Sequence, residues 1–188
     1  MSFRHQARLG QLLAVTVALI VGLTSCNWKQ FTWGHIGYNT GYAPKQPIPF
    51  SHKLHSGENK IQCLYCHTNV EYAKHSAIPS LNICMNCHLL VATDKPAIQE
   101  LQKKYFAGES INWVKVHMLP DHVKFNHKRH VHRFSKPEDR YVACQKCHGE
   151  VAKMDVIEQI SSLSMGWCID CHRNSEPKGP LNCSTCHH

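Results

Sequence analysis

Cys63-Leu64-Tyr65-Cys66-His67 opens a series of five stretches built on one pattern. The others are Cys84-Met85-Asn86-Cys87-His88, Cys144-Gln145-Lys146-Cys147-His148, Cys168-Ile169-Asp170-Cys171-His172 and Cys183-Ser184-Thr185-Cys186-His187. In 188 residues with 11 Cys and 16 His, random placement would give roughly 0.05 such units. Cys-x-x-Cys-His is the attachment signature of c-type haem. One helical turn sets the two thiols side by side, so each can form a thioether to a haem vinyl group. The next residue's imidazole then lies under the iron as proximal ligand. The pattern therefore predicts five covalently bound haems, with His67, His88, His148, His172 and His187 on the irons. Zinc is the competing reading, since Cys-x-x-Cys pairs also build four-cysteine sites. Five pairs would leave one over, and zinc gives no reason for a His after each pair.

Composition agrees with a chain organised around cofactors. Charged residues make up only 18% and aromatics 9%, and large aliphatic side chains are too few for an ordinary core. An odd Cys count argues against a plain disulfide framework. The formal charge of +8, with a pI near 9.0, could point to nucleic acid or anionic lipid. However, Lys and Arg are dispersed and carry no stacking aromatics, so nucleic-acid binding is excluded. Basic residues beside haem propionates instead hold the cofactor and tune its potential. The remaining positive charge favours an acidic partner surface.

Upstream of the haem units stands a repeated element. Phe50-Ser51-His52-Lys53-Leu54-His55 precedes the first two units, and Phe125-Asn126-His127-Lys128-Arg129-His130 precedes the last three, 75 residues further on. This internal duplication divides the chain into two modules. Two His at i and i+3 project from one face and can serve two neighbouring irons. His52, His55, His127 and His130 are thus the expected sixth ligands of four haems. For the fifth, His75 in Ala73-Lys74-His75 and Met154 in Ala152-Lys153-Met154 occupy matching places in the two halves. A Met ligand would raise that haem's potential. His122, His132 and His188 are assigned to the surface or to propionates, and His5 to a basic flank. His35 and His117 either contact propionates or ligate. An iron with a protein ligand on both faces passes electrons and binds no substrate, so no catalytic residue is expected.

At the N-terminus, Arg4 and Arg8 precede a segment free of acidic and basic residues from Leu9 to Trp28. Its length as a helix, about 30 Å, matches a bilayer core. Basic residues on the N-terminal side place the downstream chain outside the cytoplasm. Residues 1–33 are read as a signal-anchor helix in the bacterial inner membrane, with the haem domain on the periplasmic side. The competing reading takes Leu23-Thr24-Ser25-Cys26 as a lipobox with Cys26 lipid-modified. Residues 34–49, rich in Gly and Pro, form an extended tether. The first haem module covers 50–108 with two haems, and the second covers 109–188 with three. Between them Asp94 to Gly108 is the clearest helix, capped by Thr93 or Asp94, with Ile98, Leu101 and Tyr105 in one stripe. The expected fold is mainly α and irregular, a small multihaem cytochrome c packed around its haems.

Several stretches also carry a family resemblance. Ile111-Asn112-Trp113-Val114-Lys115-Val116-His117-Met118-Leu119-Pro120-Asp121-His122-Val123-Lys124-Phe125-Asn126-His127 resembles the pentahaem cytochrome c subunit of bacterial alternative complex III. So do Met165-Gly166-Trp167-Cys168-Ile169-Asp170-Cys171-His172-Arg173 and Ala77-Ile78-Pro79-Ser80 leading into the second unit. The resemblance runs from about residue 44 to 188. It implies a tandem fold similar to the c3/c7 class of cytochromes. It also implies partners: an iron–sulfur subunit of molybdoenzyme type, integral membrane subunits that oxidise quinol, and a monohaem cytochrome c. The implied role is electron relay from quinol oxidation towards a cytochrome c or terminal oxidase. Two other functions compete. A multihaem reductase of a small nitrogen or sulfur compound would need an open iron. A stand-alone anchored quinol dehydrogenase would oxidise quinol at a haem near the membrane.

Overall fold

The cysteine pairs dictate the local structure. The computed structural model describes residues 39–136 and 141–187, together with Thr16. Its helices are α1 (Cys63–Cys66), α2 (Leu81–His88), α3 (Pro96–Phe106), α4 (His127–Phe134), α5 (Tyr141–His148), α6 (Met165–Asn174) and α7 (Cys183–Cys186). A π-helix, Lys53–Glu58, precedes α1, and a 3-10 turn, Val151–Lys153, follows α5. All five Cys-x-x-Cys pairs lie on helical turns, so each pair of thiols shares one face. In α1 and α7 the turn stops at the second Cys, because His67 and His187 leave helical backbone angles. Asn126 caps α4 by accepting from the Arg129 N–H at 3.2 Å, and Ser164 caps α6 by accepting from Trp167 at 3.2 Å. Among the described residues there is no strand, as the sequence predicts.

The connector helix α3 begins two residues later than expected. Pro96 forces the residue before it out of the helical region, so Lys95 is extended and neither Thr93 nor Asp94 can cap. The far end falls as predicted: Ala107 closes the helix and Gly108 takes φ +70°. The α3 stripe packs on α2. Leu101 and Met85 are buried with Ile48, and Ile98, Tyr105, Leu81, Ile111 and Trp113 surround them.

That cluster is small. Among the described residues the buried apolar side chains are Ile48, Val70, Met85, Leu101, Val116 and Ala143. Meanwhile Leu90 is 90% exposed, Tyr72 75% and Phe106 73%. A chain of this length buries far more when its core is made of side chains alone. The Cys of the five pairs are half-buried or exposed.

Two reciprocal contacts join the modules. The Lys53 N–H at the start of the π-helix donates to the Met154 carbonyl at 2.9 Å. In the second module, the His127 N–H donates to the Lys74 carbonyl at 3.0 Å and Lys128 N–H to Ala73 at 3.2 Å. Each His-bearing helix thus docks on the segment that follows the other module's first haem unit. Gly57 lets the π-helix approach closely, since a Cβ there would run into the Ala152 carbonyl.

Gln159 is the one fully buried polar side chain among the described residues. Its Oε1 accepts from the Met118 N–H at 3.1 Å, and its Nε2 donates to the Ser161 carbonyl at 3.0 Å. Its backbone pairs with Gly41 and Tyr42 at 2.8 and 3.0 Å. Gln46 adds a two-way bridge to the Val114 backbone at 2.9 and 3.0 Å. Residues 39–49 form an irregular segment with a turn at Thr40–Gly41, held by these bonds against residues 114 and 159. The chain divides into the units Met1–Gly37 and Tyr38–His188. The expected anchor, with Cys26, falls outside the described residues apart from Thr16, and so do His5, His35 and His188. Among the described residues no helix is long and apolar enough to cross a membrane.

Candidate haem sites

The two Phe-x-His-x-x-His elements adopt the same ring geometry on different helices. In the first, Phe50 stacks on His55 (centroids 4.4 Å apart, planes at 23°) and meets His52 edge-on at 4.8 Å. In the second, Phe125 stacks on His130 (4.2 Å, 27°) and meets His127 edge-on at 4.9 Å. Each second His also directs Nδ1 at a backbone carbonyl. His55 bonds to Ser51 at 2.8 Å and His130 to Asn126 at 2.8 Å. His127 does the same to Lys74 at 3.2 Å. With Nδ1 engaged, Nε2 is the nitrogen each ring presents outward, the arrangement that metal-binding imidazoles use.

What these rings face is the decisive observation. His55 stands 6.0 Å from His88, and His130 stands 6.1 Å from His172, between ring centroids. A metal–imidazole bond of about 2.0–2.1 Å puts the centroids of two opposed imidazoles roughly 6 Å apart. Both pairs therefore have the separation that one iron between two imidazoles would need. His52 lies near His67, and His148 lies near His127. The residues present fit bis-imidazole haem at the second and fourth units. Among the described residues, no three His, Cys, Asp or Glu side chains gather as a protein-only metal centre requires.

Burial favours the neutral form of His52, His117, His127, His130 and His148. It lowers His52, with help from His67 and His55, to about 4. Burial and then His117, His127 and His67 lower His148 to about 3. Neutral imidazole is the form that ligates a metal. Burial likewise raises Cys147 to about 11, with the Cys171 and Cys168 thiols close by.

Thiol neighbours give the order of the units. Cys66 lies near Cys84 and Cys87, Cys63 hydrogen-bonds Cys144, Cys147 lies near Cys168 and Cys171, and Cys168 lies near Cys186. The attachment sites thus run second, first, third, fourth, fifth, with the Cys63–Cys144 contact at the junction of the modules.

Four of the five proximal His use Nδ1 in one way. His67 bonds to the Ala77 carbonyl at 3.2 Å, His88 to Val91 at 3.0 Å, His172 to Pro180 at 2.7 Å and His187 to His122 at 3.2 Å. His148 differs, facing the Nε2 of His117 at 3.1 Å. The His122 ring stacks on His187 at 5.4 Å and 26°. His75 is exposed near His127, and Met154 is half-buried with its carbonyl held by Lys53. Sequence reasoning had His117 contacting a propionate or ligating and His122 at the surface or a propionate; the structure sets His117 against the His148 ring and an exposed His122 against the His187 ring. Their signal was position: both fall within the stretch leading into the second His repeat.

No protein-family profile matches the chain. A search of curated proteins finds the multihaem cytochrome c subunit of menaquinone reductase from Nitratidesulfovibrio vulgaris (strain Hildenborough), 29% identical over 165 residues. The alignment covers 76% of this chain and 77% of that protein. The likeness supports a multihaem cytochrome c.

Proposed function

We propose that this chain is a pentahaem c-type cytochrome that relays electrons for a quinone-linked membrane complex, carrying no substrate site of its own. Haem bound at these sites supplies reversible one-electron chemistry. The protein's part is to fix each haem by two Cys, close both iron faces with imidazole and exclude water. The observation that carries this reading is the spacing of His55–His88 and His130–His172, 6.0 and 6.1 Å. Attachment residues are Cys63, Cys66, Cys84, Cys87, Cys144, Cys147, Cys168, Cys171, Cys183 and Cys186. The irons take His67, His88, His148, His172 and His187, opposed by His52, His55, His127 and His130. His75 and Met154 are the candidates for the fifth sixth-ligand place, since the His122 carbonyl sits at His187 Nδ1, on the side of that ring away from an iron bound at Nε2.

In this reading the haem domain works on the periplasmic face, tied to the membrane through residues 1–33. Its partners are those of alternative complex III: an iron–sulfur subunit, quinol-oxidising membrane subunits and a monohaem cytochrome c. The relative favours a second direction of flow. As a subunit of a menaquinone reductase, it suggests electrons passing through the haems towards quinone. Two measurements test the proposal. Intact mass of the full chain should show five haems, and ferric EPR should show low-spin signals without a high-spin one. A chain with fewer haems, or one that binds nitrite when ferric or CO when reduced, would refute it. Copurified membrane complex given a menaquinol analogue then reads the direction: haem reduction supports quinol oxidation, and haem oxidation by menaquinone supports the reverse.

A further inference from the structure

The duplication exposes one place where the modules differ. The repeats are offset by 75 residues at His52 and His127 and by 81 at His67 and His148, each the His of the first Cys-x-x-Cys-His unit after its repeat, so these two belong to equivalent haems; at the 75-residue offset His117 corresponds to Tyr42. His67 points Nδ1 at a backbone carbonyl, that of Ala77. His148 points Nδ1 at the Nε2 of His117, 3.1 Å away, with the two ring planes at 82° and centroids 4.3 Å apart. This spacing is too short for an iron between them, and the contact uses the nitrogen of His148 that faces away from its haem. His117 therefore stands behind the proximal ligand.

The flanks hold His117 there. Val116 on one side is buried, and on the other the Met118 N–H is bound by the buried Gln159 side chain at 3.1 Å. A proximal imidazole bound through Nε2 keeps its proton on Nδ1, so His148 donates and His117 accepts. An imidazole nitrogen is a stronger base than an amide oxygen. Accepting that bond more strongly gives His148 more imidazolate character, which favours ferric iron and lowers the potential.

We propose that His117 is a positioning residue for the third haem, fixing the His148 ring and holding that haem's potential below the value a carbonyl partner would give. This rests on the pentahaem reading above. The consequence falls on one haem, the one at the Cys63–Cys144 junction through which the two modules communicate.

The test uses the haem-loaded full chain carrying His117→Ala or His117→Gln. The Gln variant offers an amide oxygen, like the partners of the other four proximal His, and guards against a folding failure in the Ala variant. Optical redox titration should show one midpoint raised in the Ala variant, raised less in the Gln variant, and the others unmoved. EPR should stay low-spin throughout. No movement of any midpoint would overturn the proposal. A new high-spin haem in both variants would also overturn it, making His117 an iron ligand. Failure of the underlying reading would show separately, as a wild-type chain lacking five low-spin haems.

Discussion

Phe50 and Phe125 each fix two imidazoles at once, one by stacking and one by an edge contact. The i,i+3 spacing alone would leave both rings free to choose rotamers. Truncating His130 to Gly should therefore create one high-spin haem, seen in ferric EPR, because no second imidazole is braced in its place. An unchanged spin state would remove His130 from the ligands. The repeated element was legible in the sequence, since both His and the Phe recur with fixed spacing. Gln159 was not. Its value lies in the Met118 N–H, 41 residues away, and in the backbone of Gly41 and Tyr42, partners that no local pattern announces. Gln159→Ala should cost about 2–4 kcal/mol, from a cavity plus stranded backbone groups. The midpoint of denaturant unfolding of the haem-loaded chain measures it, and a loss within error would reduce Gln159 to a passive filler.

At the scale of elements, helices follow from where Cys pairs and prolines fall. Pro96 shows how a local rule decides a boundary that capping chemistry alone misplaces. The pairing of elements across the duplication was harder to read. Ala73-Lys74-His75 and Ala152-Lys153-Met154 match in sequence, and in the structure both serve as docking strips for the other module's His-bearing helix. That shared backbone role stands beside the ligand role expected of His75 or Met154. Gly57 tests the first of these contacts. Gly57→Ala places a methyl against the Ala152 carbonyl, so the π-helix must retreat, at about 1–3 kcal/mol for an overpacked contact. Thermal unfolding should show the loss. Ala at Gly108 serves as the contrast, since open space surrounds its Cβ position and only backbone strain at φ +70° is felt. Equal stability of Gly57→Ala and wild type would mean the close approach is not maintained in solution.

For the whole molecule, the thiol contacts arrange the five attachment sites in a file that begins at the second unit and passes through the first and third to the fourth and fifth. Chain order does not reveal this, because the first unit meets the third through Cys63 and Cys144. In the proposed relay, the consequence of damaging a haem depends on its place in the file. His52 and His55 sit one turn apart yet serve different irons, the first opposing His67 inside the file and the second opposing His88 at its end. His52→Gly and His55→Gly are therefore matched variants: each removes one imidazole from the same element. Pulse radiolysis of the haem-loaded chain injects an electron and follows its spread among the haems by their spectra. Loss of His52 should slow that spread severalfold, because every path between the second haem and the others crosses the first. Loss of His55 should leave exchange among the remaining four at the wild-type rate. If the two variants slow it equally, or His55→Gly slows it more, the second haem is not the end of the file and the order is wrong.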